Sequence, residues 1–403
     1  MIKRIEKGKA EGSVYAPTSK SVAHRALILA SMCPGESRIS GITECADVLA
    51  TIDCLRKFGV KIEYENQRAV VNGIDFTKAD VSGVLDCNES GSTLRFLIPL
   101  AMLSGKEVKL TGSERLISRS QSVYEALARE NGLTFINDGK EITVKGPLTA
   151  GEYYIDGNVS SQFITGLFLA LSTLDGDSKI IVNRQIESRP YVDLTISAMR
   201  EFKVRVHPDT NSSFYIFGGQ EIKPQELTVE GDWSAAAFLD AFNLIGGIVT
   251  PLGLKDGSVQ GDKVYKSLYP MIDKGYCEID ISDCPDLGPI LFALAAVKYG
   301  ARFVGTKRLR DKESDRAKAM QTELIKFGAE LIIEENSVTV IKRELHSPTE
   351  RLWGHNDHRI VMSLAVLCSM YGGEIEGCEA TSKSYPDFFK HINTLGIKVY
   401  DIN

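Results

Sequence analysis

The sequence predicts an α/β fold made by repetition of one unit, and three observations predict it. Apolar helices of about fifteen residues recur, each opened by a small or acidic polar residue. A glycine and a short strand close most of them, and pairs of alternating strands joined by short polar turns follow. The helix starts fall near Ser19, Ser90, Ser161, Ser234, Asp286 and Asp357, at intervals of 71, 71, 73, 52 and 71 residues. Three equal intervals set a true repeat apart from a loose α/β chain, so we read six units of the form βαβαββ. At 403 residues the chain is too long for one ordinary core and suits two large domains.

The first unit opens with "PTSKSVAHRALILASM". Pro17 and Thr18 lead into Ser19 as the N-cap, and Val22, Ala23, Ala26, Leu27 and Ala30 form one apolar stripe. Second helices follow in "ADVLATIDCLRKFG", "SVYEALARENG", "YVDLTISAMREF", "DRAKAMQTELIKFG" and "YPDFFKHINTLG". "VKIEY", "LIIEEN" and "SVTVI" read as strands. Such units can pack with helices inside and sheets outside, or in layers, and sequence does not choose. The short fourth interval follows "EGDWSAAAF", so the stretch just before it is the candidate domain crossing.

Composition narrows the function classes. With 43% apolar and 25% charged residues, a packed fold is expected throughout. A net charge of −6 argues against a general nucleic-acid binder, which needs a broad basic face. "MIKRIEKGKAEG" carries positive charge with no apolar stretch after it, so it is not a secretory signal. The longest apolar run, "ILFALAAV", is far short of the roughly 20 residues of a membrane span. A cytoplasmic protein is expected. Eight scattered cysteines without a C-x-x-C pair suggest neither a zinc knuckle nor a redox motif, but reduced, buried thiols.

Polar residues that look misplaced on packing grounds gather at the helix starts. Lys20, Ser21 and Arg25 sit where the helix dipole disfavours cations, and a bound anion would resolve this. "CNESGSTLRFL" offers a small-residue turn at Ser90, Gly91, Ser92 and Thr93 with Arg95 behind it, and "GSERLISRS" places Arg115 and Arg119 in a loop before a helix. "GNVSSQF" presents Ser160, Ser161 and Gln162, and "ESRPY" presents Ser188, Arg189 and Tyr191. Further on come Asp286 in "CPDLGPI", Lys312, Glu313, Asp315 and Arg316 in "DKESDR", Asp357, His358 and Arg359 in "NDHR", and Lys383 in "SKSYPDFF". Singly, each has an ordinary explanation as a cap, a solvated charged turn or a structural histidine. Together, Lys20, Arg25, Arg119, Lys312, Arg316, Arg359 and Lys383 are seven cations beside helix starts in an acidic chain. If the repeats are arranged symmetrically, they focus positive potential on one cleft, and the expected ligand carries several negative charges.

These motifs, in this order, resemble the 5-enolpyruvylshikimate-3-phosphate synthase (3-phosphoshikimate 1-carboxyvinyltransferase) family of enolpyruvyl transferases. The likeness spans nearly the whole chain through "SKSVAHRALILA", "SGSTLRFL", "SERLISR", "GNVSSQF", "SRPY", "CPDLGPI", "KESDR", "NDHRIVMS" and "SKSYPDFF". The resemblance implies two domains, each of three βαβαββ units with pseudo-threefold symmetry, closing over substrates in the cleft between them. Residues 18–230 would form one, mainly for shikimate 3-phosphate. Residues 1–17 with 231–403 would form the other, for phosphoenolpyruvate and proton transfer.

By the same resemblance, shikimate 3-phosphate would be held by Lys20, Ser21, Arg25, Ser160, Ser161, Gln162, Ser188, Tyr191, Asp286 and Lys312. Phosphoenolpyruvate would be held by Lys20, Gly91, Arg119, Gln162, Arg316, Arg359 and Lys383. The implied chemistry is addition of the 5-hydroxyl to C2 of phosphoenolpyruvate, then loss of phosphate, within aromatic amino acid biosynthesis. Asp286 would be the base and Glu313 the acid, with Lys20 and Lys383 as catalytic partners. The resemblance implies no metal and no organic cofactor, a monomer, no nucleic acid or membrane partner, and glyphosate as a further ligand for which Gly91 leaves room. Glu89 and Arg308 stand where family members often have Asn, His24 stands for a frequent Asn and His355 for a frequent Tyr. A related UDP-N-acetylglucosamine enolpyruvyl transferase typically uses a loop cysteine as acid, and residues 112–122 contain none. A non-catalytic anion-binding relative would lack the acid or base, whereas Asp286, Glu313 and Lys383 are all present.

Overall fold

A computed structural model describes residues 1–157 and 160–402. The chain divides into two compact units, Thr18–Glu230 and Met1–Pro17 with Gly231–Asn403. It therefore passes between them twice. The two crossing segments run side by side: the Glu230 carbonyl accepts from Ser19 N and the Pro17 carbonyl from Asp232 N, each at 2.8 Å.

Within Thr18–Glu230 one motif occurs three times. Leu85–Asp86, the helix Gly91–Ala101, Glu107–Thr111, the helix Ser122–Glu130 and the hairpin Thr134–Asn137/Glu141–Lys145 make one βαβαββ unit. Its first two strands pair parallel and the rest antiparallel, and the hairpin's second strand lies inside the sheet. The same order recurs from Glu152–Asp156 through Ser178–Asn183 and Ser213–Ile216 to Val206–Thr210. In the first unit the parallel strand is Glu226–Thr228, from the far end of the segment, set against Glu36–Ser40.

In the other unit, the fifth repeat is complete, but the fourth and sixth depend on the amino terminus. Ile2–Ile5 enters the last sheet between Gly373–Glu376 and Val399–Ile402, antiparallel to both. Glu11–Tyr15 pairs parallel with Ile248–Leu252 to make a two-stranded sheet. The fourth repeat has no hairpin, because the helix Tyr265–Lys274 leads directly to Cys277–Asp280. Six identical units were expected, and the missing hairpin is what the short interval between Ser234 and Asp286 records.

Burial decides the packing that sequence left open. In Gly288–Val297 every residue up to Ala296 is buried, and in Ser161–Leu171 every residue except Gln162. Strands such as Glu152–Asp156 alternate exposed and buried side chains. Helices are thus inside and sheets outside, since only an all-apolar helix can be enclosed on every side while a one-faced strand covers it. Gly91–Ala101 packs on Ser161–Leu171, and Trp233–Leu244, Gly288–Val297 and His358–Tyr371 pack on one another. Each fully buried Leu or Phe in such a core contributes about 1.5–3 kcal/mol. Among the described residues there is no disulfide and no helix long and apolar enough to cross a membrane.

The close crossing of Gly91–Ala101 and Ser161–Leu171 depends on Gly166. A Cβ there would lie 2.3 Å from the Tyr124 hydroxyl and 2.5 Å from the Arg95 carbonyl, which are themselves hydrogen-bonded at 2.6 Å. Gly166→Ala is expected to cost about 1–3 kcal/mol by overpacking, seen as a lower midpoint in urea. An unchanged midpoint would contradict this packing.

Candidate active site

Many of the functional candidates stand at helix N-termini, where free backbone amides and the helix dipole favour negative charge, but Arg119 and Lys312 follow short helices and Lys383 ends one. Caps fix the chain at most of these ends. Ser90 Oγ accepts from Thr93 N at 3.1 Å, Ser160 Oγ from Gln162 N at 3.3 Å and Asp357 Oδ1 from Arg359 N at 2.9 Å. The caps of the third and fourth repeats are Ser160 and Asp232, not Ser161 and Ser234. Ser19 occupies its cap position, but its buried hydroxyl makes no capping bond. Gly91 to Thr93 are the first turn of a helix rather than a separate turn, and Arg115 lies in a short helix, Glu114–Ser118, with Arg119 at its end.

In Thr18–Glu230, Gln162 and Ser92 are the only residues of their helices that are not buried, and they meet each other. Gln162 Nε2 donates to Ser92 Oγ at 3.0 Å, and Arg95 Nη1 donates to Gln162 Oε1 at 2.9 Å. Arg95 also lies over the Phe163 ring. Arg119 rests on Gly91, where a Cβ would come within 2.6 Å of its Nη1. Lys20 pairs with Asp47 at 2.7 Å, so an internal carboxylate balances the cation at this helix start. Ser188 is buried with φ of 56°, a left-handed conformation that costs about 1–3 kcal/mol away from glycine. Asn158 and Val159 of "GNVSSQF" lie outside the described residues.

Arg25 is 2% exposed and stacks on Phe96. It donates to Thr195 Oγ1 at 2.8 Å, to the Ser21 carbonyl at 2.7 Å and to the Tyr191 carbonyl at 3.1 Å. Burial pulls its pKa down to about 10, which leaves it charged at neutral pH. Among the described residues no carboxylate pairs with it. His24, also buried, bonds through Nδ1 to Thr51, which reaches Thr93 and so Ser90. Burial, with Lys20 and Arg25 nearby, keeps His24 neutral.

In the other unit, Asp286 is the centre of a charged cluster. Its Oδ1 takes Arg316 Nη1 at 2.8 Å and Lys312 Nζ at 3.1 Å, and its Oδ2 takes Arg359 Nη2 at 2.8 Å. Arg316, 1% exposed, also bonds Glu313 at 2.8 Å and Asp357 at 2.9 Å. Ser314 donates to Asp357, Arg359 to Ser234 and Lys383 to the Asn356 carbonyl. Burial pushes the Asp286 carboxyl up, but Arg359, Lys312 and Arg316 outweigh it and hold the group well below the usual carboxylate range. Lys312 is pulled down to about 8 by burial, against the attraction of Asp286 and with the repulsion of Arg308 and Arg316. His355 and Asn356 both have positive φ, and Glu323 holds their loop through the His355 ring and Trp353 N, each at 2.9 Å.

The structure therefore brings Asp286, Lys312, Glu313, Arg316 and Arg359 into one cluster, with Lys383 tied to the adjoining loop. Gly91 with Arg119, and Tyr191 with Arg25, meet in the other unit. Asp47, Ser234 and Asp357 bond these cations, and Asp262 is hydrogen-bonded to Ser234, yet none of the four has an assigned role in the sequence reading. Asp357 and Ser234 were visible as helix-start residues, whereas Asp47 is an acid in the first turn of a different helix and Asp262 lies in no motif. Among the described residues no group of His, Cys, Asp and Glu is arranged to hold a metal ion.

The chain matches the EPSP synthase (3-phosphoshikimate 1-carboxyvinyltransferase) family over residues 5–392. A relative from Clostridium novyi (strain NT), named 3-phosphoshikimate 1-carboxyvinyltransferase, is 39% identical over 424 aligned residues, covering 98% of this chain and 97% of its own. A solved EPSP synthase from Acinetobacter baumannii superposes with a TM-score of 0.79 at 22% identity, over 99% of this chain and 100% of that one. The enolpyruvyl transferase NikO from Streptomyces tendae gives 0.73 at 13% identity, over 99% and 98%. At these identities the two structures speak for the fold.

Arg316→Ala would remove the guanidinium that Asp286, Glu313 and Asp357 share. Breaking a buried pair in this way is expected to destabilise the chain by about 3–5 kcal/mol in urea unfolding. A loss below about 1 kcal/mol would mean that Arg316 is not what holds the carboxylates.

Proposed function

The chain belongs to the EPSP synthase family and is a 3-phosphoshikimate 1-carboxyvinyltransferase, and we propose that its two units divide the work of that reaction. Residues 18–230 mainly hold shikimate 3-phosphate, with Gly91 and Arg119 given to phosphoenolpyruvate, and 231–403 with 1–17 supply most of the phosphoenolpyruvate ligands and move the protons. The observation that carries this is the convergence of Lys312, Arg316 and Arg359 on Asp286, three cations gathered around one carboxylate, two of them in the first turns of helices. Arg25 supports the other half, because a buried guanidinium whose partners are hydroxyls and carbonyls suits a phosphate.

In the proposed reaction the 5-hydroxyl of shikimate 3-phosphate adds to C2 of phosphoenolpyruvate as the methylene carbon takes a proton. The tetrahedral intermediate then gives a methyl proton back as its C2–O bond to phosphate breaks, which re-forms the C=C bond. Asp286 accepts the hydroxyl proton and Glu313 supplies the proton to the methylene, with Lys383 and Lys20 bearing on the developing charge. Three cations around Asp286 keep it ionised and weakly basic. Incoming phosphate and carboxylate groups compete for those cations, and desolvation then raises Asp286 toward a useful base. Lys20, Ser21, Ser160, Ser161, Gln162, Ser188, Tyr191 and Lys312 complete the shikimate 3-phosphate site, and Gly91 and Arg119 the phosphoenolpyruvate site. The same reading makes the protein a cytoplasmic monomer, with glyphosate as a ligand to be tested against the Gly91–Arg119 wall.

Phosphate release from phosphoenolpyruvate should require shikimate 3-phosphate and should not occur with UDP-N-acetylglucosamine. Release with the amino sugar alone would overturn the reading. Glu313→Gln is expected to retain substrate binding while turnover falls about 10²–10⁴-fold, and near-normal turnover would remove it from the mechanism. Lys312 is a cation below about 8 and neutral above it. Calorimetry should therefore show shikimate 3-phosphate affinity falling as pH rises through that value, by at most roughly tenfold per unit. A flat affinity there would count against Lys312 as a ligand.

A further inference from the structure

Behind Arg359 stands a buried carboxylate that the reaction scheme does not use. Asp262 lies in the 3-10 turn Gly261–Val264 and is 3% exposed. The Ser234 hydroxyl is hydrogen-bonded to Asp262 and accepts from Arg359 Nη1 at 2.5 Å. A hydroxyl that receives a guanidinium N–H has one hydrogen left to give, and a carboxylate can only accept. The chain therefore runs in one direction, from Arg359 to Ser234 to Asp262.

Arg359 is gripped on its other nitrogen by Asp286 Oδ2 at 2.8 Å, so two carboxylates, one direct and one relayed, define the plane of its guanidinium. The turn that carries Asp262 is itself pinned. Gln260 accepts from Trp233 N at 3.2 Å and donates to the Gly231 carbonyl at 2.9 Å, which ties it to the segment bearing Ser234. Burial and the like charge of Asp286 push the Asp262 carboxyl up to about 6, against the pull of Arg359 and Ser234. A side chain so expensive to bury is poorly explained by packing, for which an apolar residue serves as well or better.

We propose that Asp262, acting through Ser234, is a positioning residue that fixes the orientation of Arg359 for phosphoenolpyruvate. The inference rests on the assignment of Arg359 to phosphoenolpyruvate made above.

Steady-state kinetics on Asp262→Asn, Ser234→Ala and the double variant test it. Asp262→Asn keeps the shape and removes the charge, and Ser234→Ala removes the relay. Each should raise the KM for phosphoenolpyruvate about five- to tenfold, with the KM for shikimate 3-phosphate held within about twofold. The double variant should be no worse than the worse single one, because both break the same chain. If Asp262→Asn does not fold, Ser234→Ala, which removes only one hydroxyl, carries the same comparison. An unchanged KM for phosphoenolpyruvate, an equal rise in both KM values or additive losses would overturn the inference. A wild-type chain that releases no phosphate would instead overturn the functional reading, a result distinguishable from an active wild type whose variants show no split.

Discussion

A buried cation near the start of a helix is costly unless an anion or a set of hydrogen-bond acceptors meets it, and much of the polar architecture of this chain follows from that constraint. The backbone amides at such an end already present positive charge, and burial removes the water that would screen an added guanidinium or ammonium. Asp286 answers it for Lys312, Arg316 and Arg359, and Asp47 answers it for Lys20. Asp357 caps one helix while bonding the first residue of another, so a single side chain sets both ends in relation.

These internal carboxylates hold the places that external anions are proposed to take. The arrangement has a chemical consequence, since the carboxylate that restrains the cations is the one proposed as the base. The same three cations hold its carboxyl well below the usual carboxylate range, so anions that drew them away would raise its basicity. Holding the positive groups in place beforehand also means that little reorganisation is needed when charge develops on the reacting atoms.

The helices were legible in the sequence because each announces itself locally, with a polar residue, an apolar stripe and a closing glycine. The alternating strands were legible for the same reason. Pairing across distance was not. Ile2 lies opposite Glu376 in the last sheet, yet "MIKRIEKGKAEG" carries no local mark of that pairing. The absent hairpin of the fourth repeat left a shortened interval but no sign of what was missing. The candidate residues could be picked out because they cluster at helix starts, while the groups that hold them come from elsewhere in the chain. Lys20 and Asp47 belong to different helices, and Asp262 reaches Arg359 only through a serine. The inside position of the helices followed from burial on all faces, which the apolar run of Gly288–Val297 hinted at but alternation in the strands could not distinguish from layers.

A crystal structure of the chain with shikimate 3-phosphate and phosphoenolpyruvate bound tests the exchange of anions most directly. The account predicts nitrogens of Lys312, Arg316 and Arg359 within hydrogen-bond distance of substrate oxygens. Substrates bound elsewhere, with all three cations still directed only at the protein's own carboxylates, would contradict it.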